Sequence, residues 1–196
     1  LPVVIYQLAM VLFIGLPASL WSAETRVSLW TTKTAVAPGS TATAAIVFEL
    51  KDGWHTYWRN GGDAAHPPSL TWDLPPGVKT GSIQWPLPEK EVASGLTSYS
   101  YHEEVLLLVP LQFDASLEPG QVNLQCQVNW LECQETCVPR QAKVLGAIEI
   151  SLEEKASDEA PLIQGAADLV PVIDNALPLR ADWSKTLAED ERILTL

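Results

Sequence analysis

The chain has 196 residues, 47% of them apolar, enough for one ordinary domain with a filled core and a remnant besides. Its 24 acidic residues outnumber 12 basic ones and give a formal charge of -12. With no cluster of lysines and arginines, that balance argues against a nucleic-acid partner and fits a soluble protein of an extracytoplasmic space.

Residues 1–23 carry no charge, and Val3 to Leu16 is almost unbroken apolar sequence. Small residues follow (Ala18, Ser22, Ala23), then Glu24. This reads as the apolar part of a secretory signal cut near Ala23. The alternative is an uncleaved membrane anchor, since about 20 apolar residues are enough to span. Either way the cysteines face an oxidising compartment.

From about Thr25 to Ile150 the pattern is all-β. Val27, Leu29 and Thr31 alternate, and Ala42 to Leu50 is a β-rich run after the turn Ala37-Pro-Gly-Ser40. Val105 to Phe113 is a further strand, closed by the turn Glu118-Pro-Gly120. Val122, Leu124, Cys126, Val128 and Trp130 then keep a strict period of two, which puts all five on one face. Cys126 is thereby expected in the core as a small hydrophobe without a redox role. Ala142, Val144 and the Ala147–Ile150 segment read as the returning strand. About seven short strands with regular turns predict an immunoglobulin-like β-sandwich.

Two aromatic, turn-rich segments lie between these runs. One spans Lys51 to Asp63 and contains Trp54, His55, Tyr57 and Trp58; the other runs from Gln84 to His102 and contains Trp85, Tyr99 and Tyr101. Amphipathic aromatics often cover the ends of a sandwich. Their density also suggests a lid over a reactive group, displaced when a partner arrives.

Such a group is present. Cys133 and Cys137, two of three cysteines, lie four positions apart in Trp130-Leu-Glu-Cys-Gln-Glu-Thr-Cys-Val-Pro139. An extended strand would part their Cα atoms by about 13 Å, whereas a disulfide needs roughly 4.4–6.8 Å. Bonding therefore requires the chain to turn back, as a hairpin tip or a single helical turn. A ring of five residues contributes only about 2 kcal/mol by loop entropy, weak for a staple. The spacing favours a redox pair that opens and closes. A local structural disulfide remains open, as does a metal site, although the usual zinc pattern needs a second ligand pair and none is present. Glu132 and Glu135 flank the sulfurs in sequence, with Arg140 the nearest cation, an environment expected to raise a thiol pKa. Cys137 is taken as the sulfur attacked first, on the expectation that Pro139 leaves it the more buried.

The run Lys51-Asp-Gly-Trp-His-Thr-Tyr-Trp-Arg-Asn-Gly-Gly-Asp63 is joined by Pro67-Pro68, Trp72-Asp-Leu-Pro-Pro-Gly77, Ile83-Gln-Trp-Pro86 and the cysteine segment. Together they resemble the periplasmic N-terminal domain of DsbD-type thiol:disulfide interchange proteins, with a closer likeness to the ScsB branch. The resemblance covers about residues 25–150. It implies an immunoglobulin-like protein-disulfide reductase domain that takes electrons from the remaining domains of its own full-length chain and passes them to thioredoxin-like periplasmic proteins. By position it makes Cys133 and Cys137 the catalytic pair, puts His55 and Tyr57 in the active-site lining, and places a cap within Leu87–Tyr101, with Tyr99 and Tyr101 as its aromatics. It implies no cofactor and no metal. The location implied is the periplasm, with the full-length protein in the inner membrane and no span in the mature domain. On this reading residues 1–23 are signal or anchor, 24–150 the redox domain, 151–182 a partly helical linker with a helix over Pro161–Leu177 interrupted at Pro171, and 183–196 the start of a second domain. Alternative functions from the residues alone are a copper(I)-binding module built on the same thiolates with His102 or His55 and an inert immunoglobulin-like interaction module with a structural disulfide.

Overall fold

The computed structural model describes residues 25–63, 66–93 and 95–172, together with the main chain of 182–187 and 191–195. The expected signal or anchor at 1–23 lies outside the described residues. In chain order the elements are β1 (Arg26–Thr31), β2 (Lys33–Val36), β3 (Thr41–Glu49), β4 (His55–Gly62), β5 (Ser69–Asp73), β6 (Val78–Thr80) and β7 (Glu89–Ala93). There follow β8 (Leu96–His102), β9 (Glu104–Phe113), β10 (Gly120–Cys133), β11 (Cys137–Ile150), β12 (Lys155–Ala156), α1 (Ala160–Ala167), β13 (Asp182–Leu187) and β14 (Glu191–Thr195).

One sheet has the order β1-β3-β9-β6, and the other β12-β2-β11-β10-β4-β8-β7, with β5 pairing β10 beside β4. The two face each other as an immunoglobulin-like β-sandwich. Ile46, Phe48, Leu107, Leu111 and Phe113 of the smaller sheet pack on Leu124, Cys126, Val128, Trp130, Val144, Ile148 and Ile150 of the larger one. Alternation dictates this filling, because the inward side chains of β10 are those of the period-two run. Phe48 meets the Trp130 ring edge-on, with centroids 5.5 Å apart.

The segment after Ile150 returns to this body. Pro161 occupies the first turn of α1, where its missing N–H costs nothing. Ile163 and Ala166 bury against Ala45, Val47, Leu106 and Leu108, covering the outer face of the smaller sheet. The helix ends at Ala167, ahead of Pro171. β13 and β14 pair antiparallel with each other.

The two segments read as aromatic loops are instead strands. Residues 55–62 form β4, and the second segment supplies β7 and β8. In β4 and β8 a polar and aromatic sequence hides the period of two because both faces are covered where they pair: Thr56 and Tyr101 are buried, and so are Tyr57 and Ser100 on the opposite face. The β4–β8 ladder breaks register between Tyr57 and Gly62. At that break Gly62 has φ 88°, and a β-carbon there would lie 2.1 Å from the Thr97 carbonyl oxygen. The same corner is tied by Asp63 N–H donating to the Thr97 carbonyl at 3.1 Å and by Thr97 N–H donating to the Asp63 carboxylate at 2.8 Å.

Candidate active site

β10 and β11 form a long antiparallel hairpin in register from Gly120↔Ile150 to Cys133↔Cys137. The cysteines are thus the last pair before the tip Gln134-Glu-Thr136. Directly opposed residues of an antiparallel pair lie close enough for a bridge. The Cα atoms are 4.1 Å apart and the sulfurs are joined as a disulfide. The hairpin form of the turn-back is the one adopted. The turn from Lys51 to Trp54 lies against the tip, where the Gln134 amide nitrogen would come within 3.0 Å of a β-carbon on Gly53.

Cross-strand register extends this row. Cys133 pairs with His55 of β4, and His55 pairs with His102 of β8. Opposed residues share a face, so Cys137, Cys133, His55 and His102 stand in one line across four strands. Period two excludes Cys126 from that line, since it differs from Cys133 by an odd number of residues. Cys126 is fully buried in the core, and burial pushes its thiol pKa up to about 11. The expected core placement of Cys126 holds.

The two bonded sulfurs differ. Cys133 is buried, 3% exposed, while Cys137 is exposed at the tip. The expectation that Pro139 would bury Cys137 is therefore corrected: Pro139 is itself exposed, and among the described residues β11 is paired on its outer side only at Glu149 and Ile150. The Tyr57 hydroxyl lies 3.5 Å from Cys137 Sγ and 3.2 Å from His55 Nε2. The His55 and Tyr57 rings meet edge-on, and His102 lies tilted over His55 at a centroid distance of 5.4 Å. Behind them, His102 Nε2 is 3.0 Å from Glu91 Oε1, and Ser100 Oγ donates to Glu91 Oε2 at 3.2 Å.

Electrostatics follow from this packing. Burial lowers the His55 pKa, partly offset by the nearby Glu91 charge, while His102 pushes the same way as burial. Burial and then Glu91 raise the Tyr57 pKa, so its hydroxyl keeps its proton. Glu132, beside Cys133 in sequence, is turned to the opposite face of β10. It is 3% exposed and on the core face, accepts from Arg140 Nε at 2.8 Å, and accepts from the Trp130 indole at 3.3 Å. Strand neighbours point to opposite faces, which separates this carboxylate from Cys133.

Tyr99 and Tyr101 are not brought to the pair. Tyr101 opposes Thr56, so it faces the core, where its hydroxyl donates to the Pro86 carbonyl at 2.8 Å; burial raises its pKa. Tyr99 lies edge-on to Trp58, with centroids 6.0 Å apart. Sequence reasoning missed Glu91 and Ser100, whose proximity to His102 depends on strand pairing. A cavity of about 460 Å³ flanks the hairpin, lined by Pro67, Trp130, Pro139 and Arg140 among others, and holds neither sulfur. Among the described residues no group of three His, Cys, Asp or Glu side chains is arranged to hold a metal.

The family model described as "Thiol:disulfide interchange protein DsbD, N-terminal" matches residues 26–148, more than half of the chain and including both bonded cysteines. The chain belongs to the DsbD N-terminal family. A search of curated protein sequences gives no match. Among solved structures, the N-terminal periplasmic domain of ScsB from Proteus mirabilis is 18% identical with a TM-score of 0.54, over 80% of this chain and 66% of that one. At that identity the likeness shows the fold, and the chain spans just under two thirds of that domain. BcpA, the major pilin subunit of Bacillus cereus, is 9% identical with a TM-score of 0.34, over 65% of this chain and 41% of that one. A complex between the DsbD N-terminal and PilB N-terminal domains from Neisseria meningitidis gives 16% identity and 0.31, over 66% of this chain and 86% of that one. Both are too distant in shape to add to the family assignment. As a DsbD N-terminal domain, the sandwich carries a cysteine pair that is bonded at the tip of its longest hairpin. No helix among the described residues is long and apolar enough to cross a membrane.

Proposed function

We propose that this domain is a periplasmic protein-disulfide reductase module that relays electrons from a membrane reductase domain of its own full-length chain to thioredoxin-like client proteins. The observation that carries the reading is the asymmetry of the bonded pair: one sulfur faces solvent at a hairpin tip and the other is buried behind it. In the reduced domain, the Cys137 thiolate attacks a client disulfide and forms a mixed disulfide, releasing one client thiolate. The Cys133 thiolate then attacks Cys137 Sγ, closes the Cys133–Cys137 bond and expels the second client thiolate. Two electrons leave with the client, and a dithiol on the upstream domain restores the reduced pair by the reverse sequence. No cofactor takes part. The family assignment and the ScsB likeness support the periplasmic location, and the same reading takes residues 24–150 as the exchange domain with its signal or anchor before it.

A structural disulfide usually lies below about −300 mV, whereas a relay equilibrates with its partners. The test is trapping with single-cysteine variants. A Cys133→Ser domain is expected to capture a thioredoxin-like partner through Cys137, and Cys137→Ser to capture none. Capture by neither variant, together with failure of the native disulfide to equilibrate with such a partner, would favour a structural bridge.

A further inference from the structure

The Tyr57 hydroxyl has one proton and two neighbours that compete for it, Cys137 Sγ at 3.5 Å and His55 Nε2 at 3.2 Å. If His55 Nε2 carries no proton it accepts from Tyr57, and the sulfur then meets an oxygen lone pair. A proton on Nε2 makes the imidazole the donor to the Tyr57 oxygen, and the hydroxyl proton is left for the sulfur. A thiolate gains from the second arrangement and is opposed by the first. The direction of this short chain is therefore set at His55.

We propose that Tyr57 is a catalytic hydrogen-bond donor to Cys137, and that His55, with the His102–Glu91 pair behind it, is the positioning residue that decides which way the Tyr57 proton points. The proposal rests on the exchange function above and adds acid–base control to it. The groups that face His55 are Tyr57 on its own strand, the Cys133–Cys137 pair from the hairpin, His102 from β8, and Glu91 from β7. Glu132, on the core face, is not among them. Burial holds the His55 pKa below its ordinary 6.5, while the Glu91 charge works to raise it. Tyr57 resists ionisation throughout, so it acts as a donor and not as an anion. The proton source is accessible from solvent, because the His102 and Glu91 side chains are 28% and 41% exposed. Thiolate formation at Cys137 then responds to pH twice, once through its own titration and once, on the acid side, through His55.

The experiment uses the Cys133→Ser domain, which leaves Cys137 as the accessible thiol, and follows its alkylation by iodoacetamide against pH by mass spectrometry. Adding Tyr57→Phe is expected to lower the rate about tenfold on the acid side of the His55 titration, where a proton on Nε2 leaves the hydroxyl to donate to the charged sulfur. His55→Gln, which can still donate but does not titrate, is expected to remove an acid-side inflection that the parent shows below 6.5. Glu91→Gln should move that inflection to lower pH without removing it, a shift that a purely structural role for Glu91 would not produce. A cooperative unfolding transition in each variant establishes that it is folded. The proposal is overturned if Tyr57→Phe superposes on the parent, or if the parent profile is a single titration that His55→Gln leaves alone. Either result leaves partner capture by Cys137 standing, so failure here is distinguishable from failure of the exchange reading.

Discussion

β10 carries two cysteines with opposite fates, Cys126 and Cys133, and the comparison between them explains how one strand serves both core and site. Cys126 points into the sandwich, where burial suppresses ionisation and no second sulfur is near. Cys133 points away from the sandwich and is bonded across the hairpin beneath the His55 and Tyr57 side chains. The two differ in face far more than in depth, since both are buried. Face decides which neighbours a side chain meets, and neighbours decide whether a thiol is filler or reagent.

The sharpest way to break the comparison is to remove each sulfur. Cys137→Ser is expected to abolish reduction of a thioredoxin-like disulfide, whereas Cys126→Ser should leave the rate within about twofold, because its sulfur touches no reacting atom. A stopped-flow assay of client reduction reads both. Stability should not follow that order, because the core face contributes at least as much as the disulfide. Leu124→Ala, on the core face, is expected to cost about 2–5 kcal/mol in urea unfolding, and Cys126→Ser about 1–3 kcal/mol for a buried hydroxyl. Opening the five-residue ring should cost only about 2 kcal/mol.

A third comparison concerns charge. Arg140→Ala leaves the Glu132 carboxylate buried with only the Trp130 indole as a neutral donor. A loss of about 1–3 kcal/mol is expected, below the value for a fully enclosed pair because Arg140 is itself 46% exposed. Glu132→Gln combined with Arg140→Ala should recover part of it, as a double-mutant cycle would show.

The smallest effect is a pH slope. His55 has a folded pKa below 6.5, so between 6.5 and that lower value the unfolded chain binds more protons than the folded one. Stability should therefore fall as pH drops through this window, and His55→Gln should flatten the slope. Urea midpoints at a few pH values down to about 5 test the sign.

Much of this was legible in the sequence for a definite reason. The run from Val122 to Trp130 alternates strictly because one face of β10 is core, and that parity both buries Cys126 and turns Cys133 outward. The two cysteines four apart signalled a turn-back, and the Lys51–Asp63 and cysteine segments carried the family likeness. Cross-strand register left no such signal. Nothing in the order of residues reveals that His102 lies over His55, or that Glu91 reaches both His102 and Ser100. Glu132 misled for the same reason, since adjacency along a strand means opposite faces. β4 and β8 were taken for loops because their best-covered stretch is buried on both faces, and β7 because it is a short, largely exposed edge strand with no buried face to set a period.

Gly62 sits far along β4 from the sulfurs, yet the fit at that corner reaches them. With a β-carbon there, Thr97 must withdraw, and the reciprocal ties between Asp63 and Thr97 go with it. The hairpin that would peel outward is the one bearing His102 and Glu91. A single methyl group at the far end of the ladder is therefore expected to reach the histidine pair beside the disulfide through the backbone rather than through any side-chain contact.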